Sequence, residues 1–255
     1  IFSDDGGDKY YYVGFSNNEL RWYYEDEDDR DVQISYSTSL TTNWHQIVVI
    51  GEWNENSSLL YLDGQLVASS TTAVNDMFDD ASDIRLGDRN DNYAPYDEFD
   101  GVMDELRVLN VRSTAEWIEA EYNNISDPNS FYTVSNLINL VGGGSGGGGG
   151  GAGGAGSSCS YSASTLADFT HRTQLTVNAG LVAGSGSHSH FPVWINITHD
   201  DLRTVGNGGH MVSTSGYDVA FTAADGTTQL DFEIESYDAS TGELQAWVSV
   251  PSLST

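Results

Sequence analysis

Positive charge is what this chain most conspicuously lacks. One lysine, Lys9, and eight arginines face 38 acidic residues, giving a formal net charge of −29 over 255 residues. Such a balance excludes nucleic acid as a partner, because phosphate binding needs the opposite sign. It also makes the folded chain repel itself. Molar salt, which shortens the Debye length to about 3 Å, or bound divalent cations would relieve that repulsion. Scarce lysine beside abundant acid therefore points to a halophilic or marine setting, or simply to a very soluble surface. Cysteine is scarce too: Cys159 stands alone, so no internal disulfide can staple the fold. Its thiol is left for an intermolecular bridge or for no role. No run of about 18 apolar residues occurs, which argues against membrane insertion. The chain opens at Ile1 in the middle of a pattern, as a fragment or processed product would.

What is present is apolar enough for a core. Hydrophobic residues make up 38% and aromatics 11%, with 14 tyrosines and 6 tryptophans. That mixture suits pleated, half-buried strands rather than a disordered chain. One stretch breaks the pattern: residues 142–156 read GGGSGGGGGGAGGAG. Such a run cannot form a core, and it predicts a tether or a bundling element. The expected organisation is a domain over 1–134, a Gly/Ser-rich linker over 135–167 and a smaller domain over 168–255.

Short β runs with turn signals between them fill the first part: Tyr10–Phe15, Leu20–Tyr24, Val32–Tyr36, Trp44–Ile50, Leu59–Leu62 and Gln65–Ser69. Asp63-Gly64 between two of these runs is a type I′ hairpin signal. Over Phe99–Val108 the apolar parity changes, which predicts a β-bulge near Asp104-Glu105. Ser113-Thr114-Ala115-Glu116 reads as a capping box, opening a helix of two to three turns that Asp127-Pro128 should stop. After the glycines, strands are expected at Arg172–Asn178, Phe191–Thr198, Tyr217–Thr222, Leu230–Ser236 and Leu244–Val250. A short helical turn is expected at 200–205 and a hairpin loop at Asp238–Gly242. The fold class is all-β.

Four segments in this order carry a resemblance: Trp44–Val49, Leu60–Gly64, Ile84–Gly87 and Phe99–Val108. Together they resemble the laminin-G-like branch of the concanavalin A-like lectin jelly roll, over about residues 1–134. The second part, through runs such as Gln229–Glu235 and Ser240–Val248, resembles a β domain of unknown function that accompanies such lectin modules in archaeal and bacterial surface proteins. The resemblance implies an extracellular, non-catalytic structural or adhesive protein: a subunit or repeat of a surface filament, fibre or adhesin. The alternatives are a carbohydrate-binding lectin module and a viral fibre or spike. It also implies strands beyond Tyr10–Phe15 and Leu244–Val250, supplied by further sequence or by other copies of the chain.

The lectin fold also hosts glycoside hydrolases, which need two carboxylates at a set spacing. Glu98 and Asp100 start such a pattern, but Val102 and Met103 stand where the second glutamate belongs, so catalysis is not expected. Calcium is the cofactor the sequence allows, because hard cations take several oxygen ligands. Asp88, Asn90, Asp100 and Asp104 are the candidate ligands, set against a reading as turn-formers on an acidic face. Trp53, Tyr93 and Tyr96 are candidate stacking platforms for surface glycans. His188 and His190 could place two imidazoles on one strand face for zinc or nickel, or merely start a strand. Asn56, Asn124 and Asn196 lie in glycosylation sequons. The expected partners are other copies of the chain and surface glycans.

Overall fold

The computed structural model describes residues 2–5, 10–25, 31–52, 57–72, 84–87, 99–140 and 169–255. They form two units, residues 1–122 and 123–255. The first is built from β1 (Phe2–Asp5), β2 (Tyr10–Ser16), β3 (Glu19–Glu25), β4 (Asp31–Ser37), β5 (Ile47–Glu52), β6 (Ser57–Leu62), β7 (Gln65–Ser70) and β8 (Ile84–Leu86). All the expected β runs up to residue 69 are strands, each longer by a residue or two except β5, which starts at Ile47 rather than Trp44.

Period-2 alternation makes the sandwich. On β3, Leu20, Trp22 and Tyr24 point inward, as do Val32 and Ile34 on β4, while their neighbours face water. Antiparallel pairing sets Trp22 opposite both Val13 and Ile34, so one row of large side chains crosses three strands. The sheet β4-β3-β2-β1-β8 packs on a second, β5-β6-β7, with Leu60 buried between them and Ile47, Val49, Leu62, Val67 and Ala68 around it. A hydroxyl contact of 2.5 Å joins Tyr24 and Ser58 across the layers. The Asp63-Gly64 turn has φ of 52° and 77°, the doubly left-handed backbone that a type I′ turn demands.

The expected strand at Phe99–Val108 does not form. Among the described residues, the Phe99 N–H bonds the Gly87 carbonyl at 2.7 Å, but residues 100–112 are assigned to no strand. The break falls where the parity changed: Glu105 has φ of 54°, and its N–H turns back onto Asp104 Oδ1 at 2.9 Å. A left-handed residue at that point turns the chain out of line, so the apolar residues on either side cannot share one ladder.

Helix α1 (Ala115–Ser126) follows, and its cap is Thr114 rather than Ser113: Thr114 Oγ1 accepts the Trp117 N–H at 3.2 Å. Asp127-Pro128 ends it as expected and starts α2 (Pro128–Phe131), with Asp127 as N-cap.

The largest revision concerns the domain boundary, which falls inside α1 between Tyr122 and Asn123. Residues ahead of the glycines pair with residues after them. β9 (Tyr132–Val134) pairs with β12 (Leu175–Val177), and β10 (Ile138–Asn139) pairs with β11 (His171–Arg172). The Leu140 N–H closes the second ladder onto the Thr170 carbonyl at 2.7 Å. Both ladders thus join residues on either side of the Gly-rich run. Cys159 and residues 141–168 lie outside the described residues.

The rest of the second unit is a sheet ordered β13-β15-β14, with β13 at Ser187–Thr198, β14 at Phe232–Asp238 and β15 at Glu243–Ser254. Phe191, Val193 and Ile195 of β13 and Leu244, Ala246 and Val248 of β15 face one core, where Phe131 stacks 6.4 Å from Phe191. The expected run Arg172–Asn178 splits in two because its halves pair with different strands. Tyr217–Thr222 is not a strand; a single bridge, Thr222 to Gln229, remains of it. The turn at 200–205 is realised as two 3-10 turns, Asp200–Leu202 and Val205–Asn207, ended by left-handed Gly208 rather than by Gly206.

Candidate functional site

Asp100 and Asp104 are both exposed on the strandless stretch, where Asp104 Oδ1 is engaged by the backbone. Asp88, Asn90, Tyr93, Tyr96, Trp53, Asn56 and Glu98 lie outside the described residues. Among the described residues, no group of three or more His, Cys, Asp or Glu side chains could hold a metal ion. Val102 and Met103, the positions of the absent second glutamate, are 73% and 40% exposed.

Two of the polar candidates turn out to be scaffolding. Asn124 is fully buried. Its Oδ1 accepts the Trp194 N–H at 2.6 Å and its Nδ2 donates to the Trp194 carbonyl at 3.1 Å. The side-chain amide thus stands in for a neighbouring strand along the open edge of β13, which removes Asn124 as a glycan acceptor in this fold. Tyr132 does the same two residues on: its hydroxyl donates to the Asn196 carbonyl at 3.1 Å and accepts the Asn196 N–H at 2.7 Å. Asn196 itself is half-buried. His188 and His190 do not share a face. His188 is buried, with Nε2 2.9 Å from the Ala183 carbonyl and its ring against Phe191, while His190 is exposed at a φ of 50°.

Two polar networks were not anticipated. At the start of β5, the His45 ring joins Thr41 to Asp63. Nε2 accepts the Thr41 N–H at 3.2 Å and meets Thr41 Oγ1 at 2.9 Å, so Nδ1 carries the proton that Asp63 Oδ2 accepts at 2.8 Å. The order hydroxyl, imidazole, carboxylate is that of a hydrolase triad. Here, however, Thr41 Oγ1 also accepts the Asn43 N–H at 3.2 Å, and Asp63 Oδ1 takes the Gln46 N–H at 3.0 Å. The hydroxyl is tied inside its own loop, so the set clamps that loop onto the Asp63-Gly64 turn. Only the turn was legible in sequence, since Thr41 and Asp63 are 22 positions apart.

The second network centres on Glu121 of α1, which is 7% exposed. It is held by the guanidinium of Arg107 and by Gln46 Nε2 at 3.0 Å, and Arg107 also reaches Glu105 at 2.8 Å. Burial pushes the Glu121 carboxyl above its ordinary range, and the charge and hydrogen bond of Arg107 work against that rise. This is an anchor for the chain after the kink at Glu105.

The two-layer sandwich agrees with the comparison of families. Residues 1–119 match the model of the concanavalin A-like lectin/glucanases superfamily, and this region of the chain is a domain of that superfamily. No curated protein matches the chain. One solved structure with similarity to it is an S-layer domain-containing protein, residues 221–444, from Clostridium thermocellum ATCC 27405. The two are 17% identical with a TM-score of 0.25, over 48% of this chain and 61% of that one. A likeness at that level carries no weight for fold or function. Among the described residues, no helix is long and apolar enough to cross a membrane.

Proposed function

We propose that this chain is a non-catalytic extracellular protein of structural or adhesive role, a subunit or repeat of a surface filament, fibre or adhesin. The observation that supports it most is the stretch after the Gly87 contact. Val102, Leu106, Val108, Leu109 and Val111 are 73%, 56%, 74%, 55% and 69% exposed. A chain that works alone in water rarely leaves such a series bare. Further copies of the chain are the partners that would bury it, in a repeating arrangement. The charge of −29 sets the conditions: copies approach only where salt or calcium screens them.

Sedimentation and electron microscopy of the chain, in molar salt or millimolar calcium, test this reading. Discrete oligomers or fibres are expected, with dispersal by V108D/V111D and weaker thermal stability in low salt with chelator. Monomers under every condition would refute it. Carbohydrate binding is the second reading, supported by the superfamily match. A glycan array that the monomer answers, while self-association stays absent, would favour it over the first.

A further inference from the structure

The strand expected at Tyr217–Thr222 leaves a single bridge and a gap. Thr222 bridges Gln229, the Leu230 N–H donates to the Phe221 carbonyl at 2.9 Å, and the Ala223 N–H donates to the Thr228 carbonyl at 2.8 Å. The segment thus closes as a hairpin as far as Phe221. Carried on in that antiparallel register, Val219 would face Phe232 and Tyr217 would face Ile234. A tight loop draws both away. Asp218 Oδ2 accepts the Val212 and Ser213 N–H groups at 2.6 and 3.1 Å. The Tyr217 N–H donates to Ser213 Oγ and the Val219 N–H to the Gly216 carbonyl, each at 3.2 Å. The same register would also set Asp218 against Glu233, a like-charge pair that disfavours closure.

The gap is a groove of about 370 Å³ along β14, lined by Tyr217, Val219, Leu230, Phe232 and Ile234. β14 is an edge strand, in the order β13-β15-β14. The Ser249 N–H donates to the Asp231 carbonyl at 2.8 Å, and Phe232 stands opposite Val248. Alternation then turns the main-chain groups of Asp231 and Glu233 toward β15, and those of Phe232 and Ile234 toward the groove. The Phe221 ring, edge-on at 5.2 Å, braces Phe232. Two outward-facing peptide groups at i and i+2, set between apolar walls, are what an added extended strand requires.

We propose that the occupant of this groove is the stretch Leu106–Leu109 of a second copy, added to β14 as a further strand. The inference rests on the first reading of function, in which copies of the chain associate. Residues 106–109 belong to no strand, and Leu106, Val108 and Leu109 are apolar yet exposed. Arg107 is held by Glu121 and Glu105 of its own unit. In an extended chain Leu106 and Val108 then project to the opposite side. They offer two apolar side chains at the i, i+2 spacing of Phe232 and Ile234. Charge agrees with the fit. Residues 106–112 read LRVLNVR, with two arginines and no acid, in a chain of 38 acidic and 9 basic residues. The side chains of Arg107 and Arg112 keep 31% and 41% of their surface exposed. The receiving edge carries Asp231, Glu233 and Glu235, all exposed, and opposite charges across a ladder stabilise it. Donor stretch and receiving edge are different surfaces, so each contact is heterologous and leaves one of each open at the ends. Copies joined in this way build a ring or a fibre rather than a closed pair.

Analytical ultracentrifugation of the full chain in molar salt tests the pairing, with L106D/V108D as the donor variant and V219D as the receiving variant. Wild type is expected to associate. Each variant alone should sediment as a monomer. A one-to-one mixture should give dimers and nothing larger, since it retains one working donor and one working edge. Circular dichroism checks that each variant is folded; Y217D, at a position 68% exposed, takes the place of V219D if that copy does not fold. A folded receiving variant that associates as wild type does, or a mixture that stays monomeric, would overturn this contact and leave association of copies standing. A monomeric wild type would overturn both.

Discussion

Single residues in this chain do work that their type does not announce. Asn124 sits in a sequon, yet its amide closes the edge of β13 at Trp194. N124A should therefore leave a buried N–H and carbonyl without partners, each costing about 1–3 kcal/mol. Chemical denaturation should show a loss of about 2 kcal/mol or more, whereas the exposed Ser126 at the end of α1 should tolerate alanine within about 0.5 kcal/mol. Glu121 offers a pH-dependent counterpart. Its folded-state carboxyl titrates above the ordinary 4.5 because burial disfavours its charge. The folded state then holds the proton more tightly than the unfolded one, so this group's contribution to stability falls as pH rises above about that value. Arg107 restrains the loss. R107M should cost about 2 kcal/mol at pH 7, below the 3–5 of a fully buried pair because Arg107 is 31% exposed. Melts repeated towards pH 4 should show the penalty shrinking as Glu121 takes up its proton; a penalty independent of pH would contradict this account.

At the scale of elements, turns proved more legible than strands near them. Asp63-Gly64 and the Asp238–Gly242 loop follow from local chemistry: Asp238 Oδ1 accepts the Ser240 and Thr241 N–H groups at 2.7 and 3.2 Å, and Gly242 takes a φ of 72°. Tertiary contact adds a second demand at Gly242, where a Cβ would fall 2.1 Å from the His199 carbonyl oxygen. G242A should thus destabilise the protein by about 2 kcal/mol or more. G186A, with open space around its Cβ, should stay within about 0.5 kcal/mol. Thermal melts of the two variants side by side make the comparison. The strand expected at Phe99–Val108 failed for the opposite reason. Alternation promises a ladder only if a partner strand lies alongside, and the backbone kink at Glu105 splits the run.

Across the whole molecule, the position of the glycine run changes the meaning of the chain. Read in sequence, it separates two domains; in the fold, β9–β12 and β10–β11 tie its two sides together. A protease site inserted within residues 142–156 should accordingly give fragments that stay together on size exclusion in native buffer and separate only in denaturant. Free separation of the fragments would restore the linker reading. The superfamily of residues 1–119 was legible from ordered short motifs, because a sandwich core imposes period-2 alternation on each strand separately. By itself, then, the sequence determined the all-β class, the hairpin turns, the helix after residue 114 and the strong acidity. Only the tertiary structure decided where the units divide and which asparagine is scaffold. Those outcomes depend on pairings between residues tens of positions apart, and neither composition nor local periodicity encodes which distant backbone will lie alongside.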